Sequence, residues 1–96
     1  FGNRLSVLQT ARTFEDLGVA AYNGAGRFIR NANNLLMAGR IVSVEARHAA
    51  AIRDALDITG IAFADLSTLT ALGADPASAR DVALAPAQVL PLAQPF

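Results

Sequence analysis

Two long stretches of the sequence carry apolar residues at the spacing of an α-helix, and this pattern limits the fold more than any other feature. In residues 5–30, one stripe contains Leu8, Ala11, Glu15, Gly18, Val19 and Tyr22. In residues 34–58, a second stripe contains Ala38, Ile41, Val42, Glu45, His48, Ala49, Ile52 and Leu56. Because residues three or four positions apart share one face of a helix, both stretches are predicted to form amphipathic helices.

The residues between the two stretches predict a tight reversal of the chain. The run NANN at 31–34 is the stronger turn signal, although NGAG at 23–26 also holds residues that are common at helix ends. Gly60 is the expected stop of the second helix. Two long helices joined by a short turn form an antiparallel pair, and such a pair cannot cover both of its apolar stripes by itself. We therefore expect further helices to pack on it.

The remaining residues give weaker signals. IAFADLSTLTALG is compatible with a short helix, and Asp75 is expected to cap a turn of helix in which Pro76 comes first. LAPAQVLPLAQPF contains three prolines, which favour a short turn of helix and an extended tail. The sequence thus predicts an all-α chain, with a helix pair in residues 1–60 and short helices and an irregular Pro-rich tail in residues 61–96.

Composition excludes several functional classes. At 96 residues the chain is one small domain at most, and its eight basic residues balance its eight acidic ones, so no nucleic-acid partner is expected. The absence of cysteine removes disulfides and thiolate sites. No apolar run approaches the roughly 20 residues of a transmembrane segment. The chain begins at Phe1 without a signal sequence, so a processed product or a fragment is expected.

The candidate functional residues are the only two glutamates and the only histidine, all inside the apolar stripes. A buried carboxylate is costly unless a cation, a metal or hydrogen-bond donors lie opposite it. Glu45 and His48 are about one helical turn apart on one face, so both can reach the same ion. Two carboxylates with one imidazole favour iron or manganese over zinc. The alternative is a buried pair of Glu45 with His48, and Glu15 bonded to Tyr22 or Arg12.

The glycines of the first stretch offer a second, weaker motif. Gly18, Gly24 and Gly26 lack the lysine, serine or threonine and the preceding strand that give a phosphate-binding loop its function. We expect them to serve close packing instead.

The segments LQTARTFEDLGVAAYNGAG at 8–26 and AGRIVSVEARHAAAIRDAL at 38–56 resemble the third and fourth bundle helices of the ferritin-like superfamily, within it the bacterial and plant ferritin-like domain proteins related to desiccation-related proteins. The tail LAPAQVLPLAQPF is similar to the C-terminal segment of that family. The resemblance implies half of a ferritin-like four-helix bundle with a di-metal site for iron or manganese. It implies that Glu15 is the metal ligand of the third helix, Glu45 the bridging carboxylate and His48 the terminal imidazole. It also suggests an exported protein, periplasmic or extracellular.

The resemblance leaves the ligand set incomplete, because the two earlier helices of the family, with another Glu and another Glu-x-x-His pair, have no counterpart in the sequence. Either a missing N-terminal half of the bundle belongs to a longer polypeptide, or a second copy pairs about a two-fold axis and completes the site. The implied function is metal binding or oxidation in stress protection, with no catalytic side chain assigned. The alternatives are a non-catalytic structural protein on a ferritin-like scaffold and an assembly module of a larger complex.

Overall fold

Helices dominate the computed structural model, which describes residues 2–57 and 59–94. The two long helices are α1, Arg4–Ala25, and α2, Ala32–Leu56, and a short α3 spans Pro86–Ala93. Short 3-10 helices of three to six residues cover Gly26–Phe28, Ala62–Ala64, Ser67–Leu72 and Pro76–Ser78. In the two described ranges no residue lies in a β-strand beyond an isolated bridge between Asp75 and Arg80. The predicted all-α class is confirmed.

Asparagine side chains begin both long helices. Asn3 Oδ1 accepts the backbone N–H of Ser6 at 2.9 Å, and Ser6 Oγ accepts the N–H of Asn3 at 3.3 Å. This reciprocal arrangement is a capping box. Asn31 Oδ1 accepts the N–H groups of Asn33 and Asn34 at 3.0 and 3.1 Å. Because free N–H groups at a helix start need acceptors, these asparagines determine where the two helices begin.

The reversal between the long helices comes earlier than the turn predicted at 31–34. α1 ends at Ala25, and the N–H of Gly26 bonds back to Tyr22 O. The NGAG run therefore does end the α-helix, which had been expected to reach residue 30, and only a 3-10 turn follows it. α2 begins at Ala32 rather than 34, because Asn31 caps it. Its expected end at residue 58 lies outside the described residues, and Asp57 follows the last helical residue.

The two long helices pack side by side in opposite directions. Leu35 lies next to Gly26, Glu45 next to Gly18, and Arg53 next to Asp16, so the residue numbers rise on one helix as they fall on the other. The buried apolar residues of the pair are small, namely Val19, Ala20, Ala38 and Ala49. Small side chains at a contact allow close helix axes. This antiparallel pair is compatible with half of a four-helix bundle, as predicted.

The residues after α2 fold back onto one side of α1. The N–H of Leu84 donates to Ala20 O at 2.9 Å, and Asn23 Nδ2 donates to Val82 O at 2.9 Å. We call residues 82–84 the strap. A small core lies beneath it, formed by Ala20, Ala74, Val82 and Leu84 with Leu66, Leu69 and Val89 at its edge. The short helix predicted in the proline-rich segment 84–96 is α3, and the end of the extended tail predicted there, residues 95–96, lies outside the described residues.

Asp75 caps the turn before the strap, as the sequence predicts. Its carboxylate accepts the N–H of Ala77 at 3.1 Å, with Pro76 at the first position of the turn. The same carboxylate bonds to the Ser78 hydroxyl and to the Arg80 guanidinium. The pKa of Asp75 is held below its usual range by these hydrogen bonds, and the bond from Ser78 has the largest effect. The hydrogen bonds of the Asp75 carboxylate therefore stabilise the turn that precedes the strap.

Large apolar side chains remain exposed on both long helices. They are Leu5, Val7 and Phe14 on α1 and Leu35, Leu36, Met37, Ile41 and Val44 on α2. Extended exposed apolar surface is typical of an interface rather than of a solvated surface. The pair thus leaves the surface that a bundle partner would cover. Among the described residues, no helix is long and apolar enough to cross a membrane.

Candidate functional site

The packing of α1 against α2 brings two of the three predicted ligands into contact. Glu15 comes from α1 and His48 from α2, and His48 Nδ1 lies 3.3 Å from Glu15 Oε1. The His48 side chain is 58% exposed, whereas that of Glu15 is 26% exposed. This contact is an ion pair when the imidazole is protonated. The sequence had offered a pair of Glu45 with His48 as the alternative to a metal site, but the carboxylate that contacts His48 is Glu15.

Glu45 lies beside this contact with an unsatisfied oxygen. Its Oε2 is buried and has no hydrogen-bond partner within residues 2–57 and 59–94. The carboxylate points at Gly18, where a Cβ atom would lie 2.5 Å from Oε2 and 2.9 Å from Cδ. The missing side chain at Gly18 thus makes room for the carboxylate. Leaving a buried acceptor unsatisfied costs about 1–3 kcal/mol, so this position is one where a cation or a donor would stabilise the protein.

The surroundings of Glu45 disfavour its negative charge. Burial raises the pKa of Glu45, the negative charge of Glu15 raises it further, and His48 acts in the opposite direction. All three candidate ligands are therefore close enough to influence one another electrostatically. A cation next to Oε2 would reverse the balance, because an adjacent positive charge favours the ionised carboxylate.

The three side chains do not form a closed metal cluster. In the part of the chain that the structure describes, no group of three or more His, Cys, Asp or Glu is arranged to hold a metal ion. Glu15 and His48 contact each other, while Glu45 is turned toward Gly18. The donor types nevertheless fit iron or manganese, since two carboxylates, one with an orphaned buried oxygen, lie beside an imidazole. Glu15, Glu45 and His48 therefore fit part of the ligand set of such an ion, and the other ligands would have to come from elsewhere.

A buried ion pair near the candidate ligands was missed by the sequence interpretation. Arg53 Nη2 donates to Asp16 Oδ2 at 2.7 Å, and the two side chains are only 8% and 14% exposed. The apolar stripe of residues 34–58 did not include Arg53. The available signal was position, because Arg53 follows the buried Ala49 by four residues and so shares its face. The pair joins α2 to α1 next to Glu15.

Comparison with known families agrees with this geometry. Residues 1–57 match the model of a family described as the ferritin-like domain, and this match covers more than half of the 96-residue chain. The chain belongs to the ferritin-like domain family. The matched segment of this ferritin-like chain contains α1, α2 and all three candidate ligands. The comparisons with curated proteins and with solved structures gave no match.

Proposed function

We propose that this ferritin-like chain supplies part of a di-metal carboxylate centre that binds iron or manganese, in a protein that binds or oxidises metal in stress protection. Glu15, Glu45 and His48 are the proposed ligands. The observation that carries the proposal is the buried Oε2 of Glu45, which has no partner among the described residues and lies beside a second carboxylate and an imidazole. Family membership supports the fold, and these side chains support the chemistry.

Each proposed ligand has a distinct part. Glu45 offers an anionic oxygen shielded from water, and from the resemblance it is the bridging carboxylate. Glu15 and His48 lie at ion-pair distance from each other, so a cation must separate them or lie between them. His48 must be neutral to act as a ligand, and its exposure to solvent gives the leaving proton a route to water. A bound iron or manganese ion would supply electron transfer to an oxidant.

The centre needs further ligands from outside the helix pair. Two more helices complete a four-helix bundle, and they come either from another segment of a longer polypeptide or from a second copy of this chain. The exposed apolar side chains of α1 and α2 support such a partner. Measuring the metal content of the protein in its native assembly by elemental analysis distinguishes a second copy from a longer polypeptide. A symmetric dimer would hold about one metal ion per chain.

Substitution of Glu45 tests the proposal directly. We expect Glu45→Gln to weaken manganese or iron binding about tenfold or more, because the anionic oxygen is lost. Without metal the variant should be at least as stable as the parent, since it removes a charge that burial and Glu15 disfavour. Asp54→Asn is the control, because Asp54 is an exposed carboxylate on the same helix. Calorimetric titration with metal measures the affinities, and unchanged binding by Glu45→Gln would overturn the proposal.

A side chain at Gly18 would occupy the space in which the Glu45 carboxylate lies. Gly18→Ala places a methyl group where the Glu45 carboxylate lies and so forces that carboxylate to move. We expect metal affinity to fall while the helix gains about 0.5–1 kcal/mol of propensity. Gly39→Ala, which has no atom within 4 Å of the new Cβ, should gain the propensity and keep its metal affinity. Equal metal affinities of the two variants would show that the Glu45 position is irrelevant.

The alternative function is non-catalytic, with the helix pair acting as a structural scaffold or an assembly module. The contact between Glu15 and His48 favours it, because each of the two groups has the other as a partner at 3.3 Å. The open arrangement of the three side chains favours it too. If neither iron nor manganese stays bound at native mass after exposure to both, the scaffold function is the one supported.

A further inference from the structure

A second candidate site lies on the other side of α1 from the proposed ligands, under the C-terminal residues. A cavity of about 230 Å³ separates α1 from the folded segment after α2. Its apolar wall consists of Leu17, Leu69, Leu72, Val82, Leu84 and Leu92. These residues come from four separate elements, so the cavity exists only when the strap and α3 are docked. Nothing in the metal proposal uses this space.

The polar end of this cavity carries an arginine that has no ion-pair partner among the described residues. Of the two charged side chains in its wall, Asp16 is paired with Arg53 at 2.7 Å. The other, Arg12, takes part in none of the hydrogen bonds or ion pairs of the described residues, and its side chain is half-buried. Thr68 lies in the same wall. The charge offered to a ligand in this cavity is therefore the guanidinium of Arg12.

A second cavity continues beyond that polar end. It measures about 220 Å³ and shares Arg12 and Thr68 with the first. Arg53, Asp57 and Asp65 also line it. Asp57 and Asp65 accept the backbone N–H groups of Thr59 and Ser67 at 2.9 Å each, and the positive charge of Arg53, which pairs with Asp16, also acts on Asp65. These bonds hold both carboxylates in their own turns. The two cavities together offer an apolar space that opens at Arg12 into a polar one.

We propose that these cavities bind a small amphipathic carboxylate. Its hydrocarbon chain lies among the leucines, and its carboxylate pairs with Arg12, with the Thr68 hydroxyl as a second donor. A guanidinium matches a carboxylate with two parallel hydrogen bonds, and ligand sites are typically apolar with a few polar groups that orient the ligand. An apolar cavity of ~150 Å³ holds benzene, so the larger apolar cavity here takes a chain of about six to eight carbons.

Octanoate is the probe, titrated calorimetrically into the full chain. We expect saturable binding with one octanoate per chain, at least tenfold weaker binding of octan-1-ol, and no detectable binding of acetate. Octylammonium has the same tail with the opposite charge and is expected not to bind. Tighter binding of octylammonium than of octanoate would mean that Asp57 and Asp65 determine the charge of the site, and it would overturn the proposal. The absence of saturable octanoate binding would overturn it as well.

Matched variants separate the cavity from other surfaces. Arg12→Gln is expected to weaken octanoate binding at least tenfold, whereas Arg40→Gln, an exposed arginine of α2, should leave it unchanged. Leu72 is partly exposed at the rim of the cavity, so Leu72→Trp should fill the cavity and abolish octanoate binding. The variant should still unfold in a cooperative thermal transition. Backbone amide shifts on addition of octanoate should concentrate at residues 66–72 and 82–84. Shifts centred on Leu35 and Leu36 would place the ligand on the exposed apolar surface instead and would overturn the proposal.

Discussion

Asp16→Ala is expected to lower the free energy of unfolding by about 3 kcal/mol, because it leaves the buried guanidinium of Arg53 without its partner. That is a large share of the roughly 5–15 kcal/mol that stabilises an ordinary domain. Urea unfolding monitored by circular dichroism measures it. Arg80→Ala is the comparison, since the Arg80 and Asp75 side chains are 76% and 40% exposed, and an exposed pair contributes little to stability.

A double variant identifies the cause of this loss. Asp16→Leu combined with Arg53→Met replaces both charges by apolar groups, which is often neutral for a buried pair. We expect the double variant to recover most of the stability that Asp16→Ala loses. If Asp16→Ala costs no more than Arg80→Ala, the pair does not stabilise the contact of α1 with α2, and another contact must hold their register.

Gly24→Ala is expected to detach the strap from α1. A Cβ atom at this position would lie 1.8 Å from Leu84 O, which belongs to the backbone and has no rotamer by which to move aside. Detachment exposes Val82 and Leu84, now 1% and 4% exposed, and breaks the bond from Leu84 N–H to Ala20 O. We expect a loss of about 2–4 kcal/mol even after the gain in helix propensity.

Hydrogen exchange of the Leu84 amide is the most specific measurement for Gly24→Ala. The amide is protected in the parent by its bond to Ala20 O, and it should exchange freely in the variant. Gly39→Ala, another helix-interior glycine but with open space around it, should keep the protection and gain about 0.5–1 kcal/mol. Unchanged protection in Gly24→Ala would show that the strap accommodates the methyl group by a shift of α1.

The sequence predicted the helix pair because helical periodicity is a local property. Leu8, Ala11 and Glu15 share a face whatever the helix packs against, so the partial burial of Glu15 followed from spacing alone, whereas the His48 side chain is 58% exposed. The boundaries were less accurate. The helix end at NGAG competed with the NANN signal, and the structure uses both, the first to end α1 and the second to begin α2.

The features that the sequence did not predict depend on contacts between distant residues. Asn23 and Val82 are 59 positions apart, and no periodicity indicates that a strap crosses α1 there. The close packing expected of the glycines is present. At Gly24 the neighbour is the backbone of Leu84, and at Gly18 it is the carboxylate of Glu45. The burial of Arg53 likewise depends on the approach of Asp16 from the other helix. The ligand roles of Glu15, Glu45 and His48 remain a prediction.

The strap docks on one side of the helix pair, against α1. α1 is held by α2, by the strap and by α3. Among the described residues, the larger interfaces of α2 are those with α1 and with the turn Ala62–Ala64. Residues 32–37 at the start of α2 are all exposed. Segments with few buried contacts open locally at a lower free energy than the rest of a protein. The start of α2 is therefore expected to open before the rest of the helix pair, whereas Glu45 and His48 lie near the part of α2 that the buried Ala49 and the Arg53–Asp16 pair hold against α1.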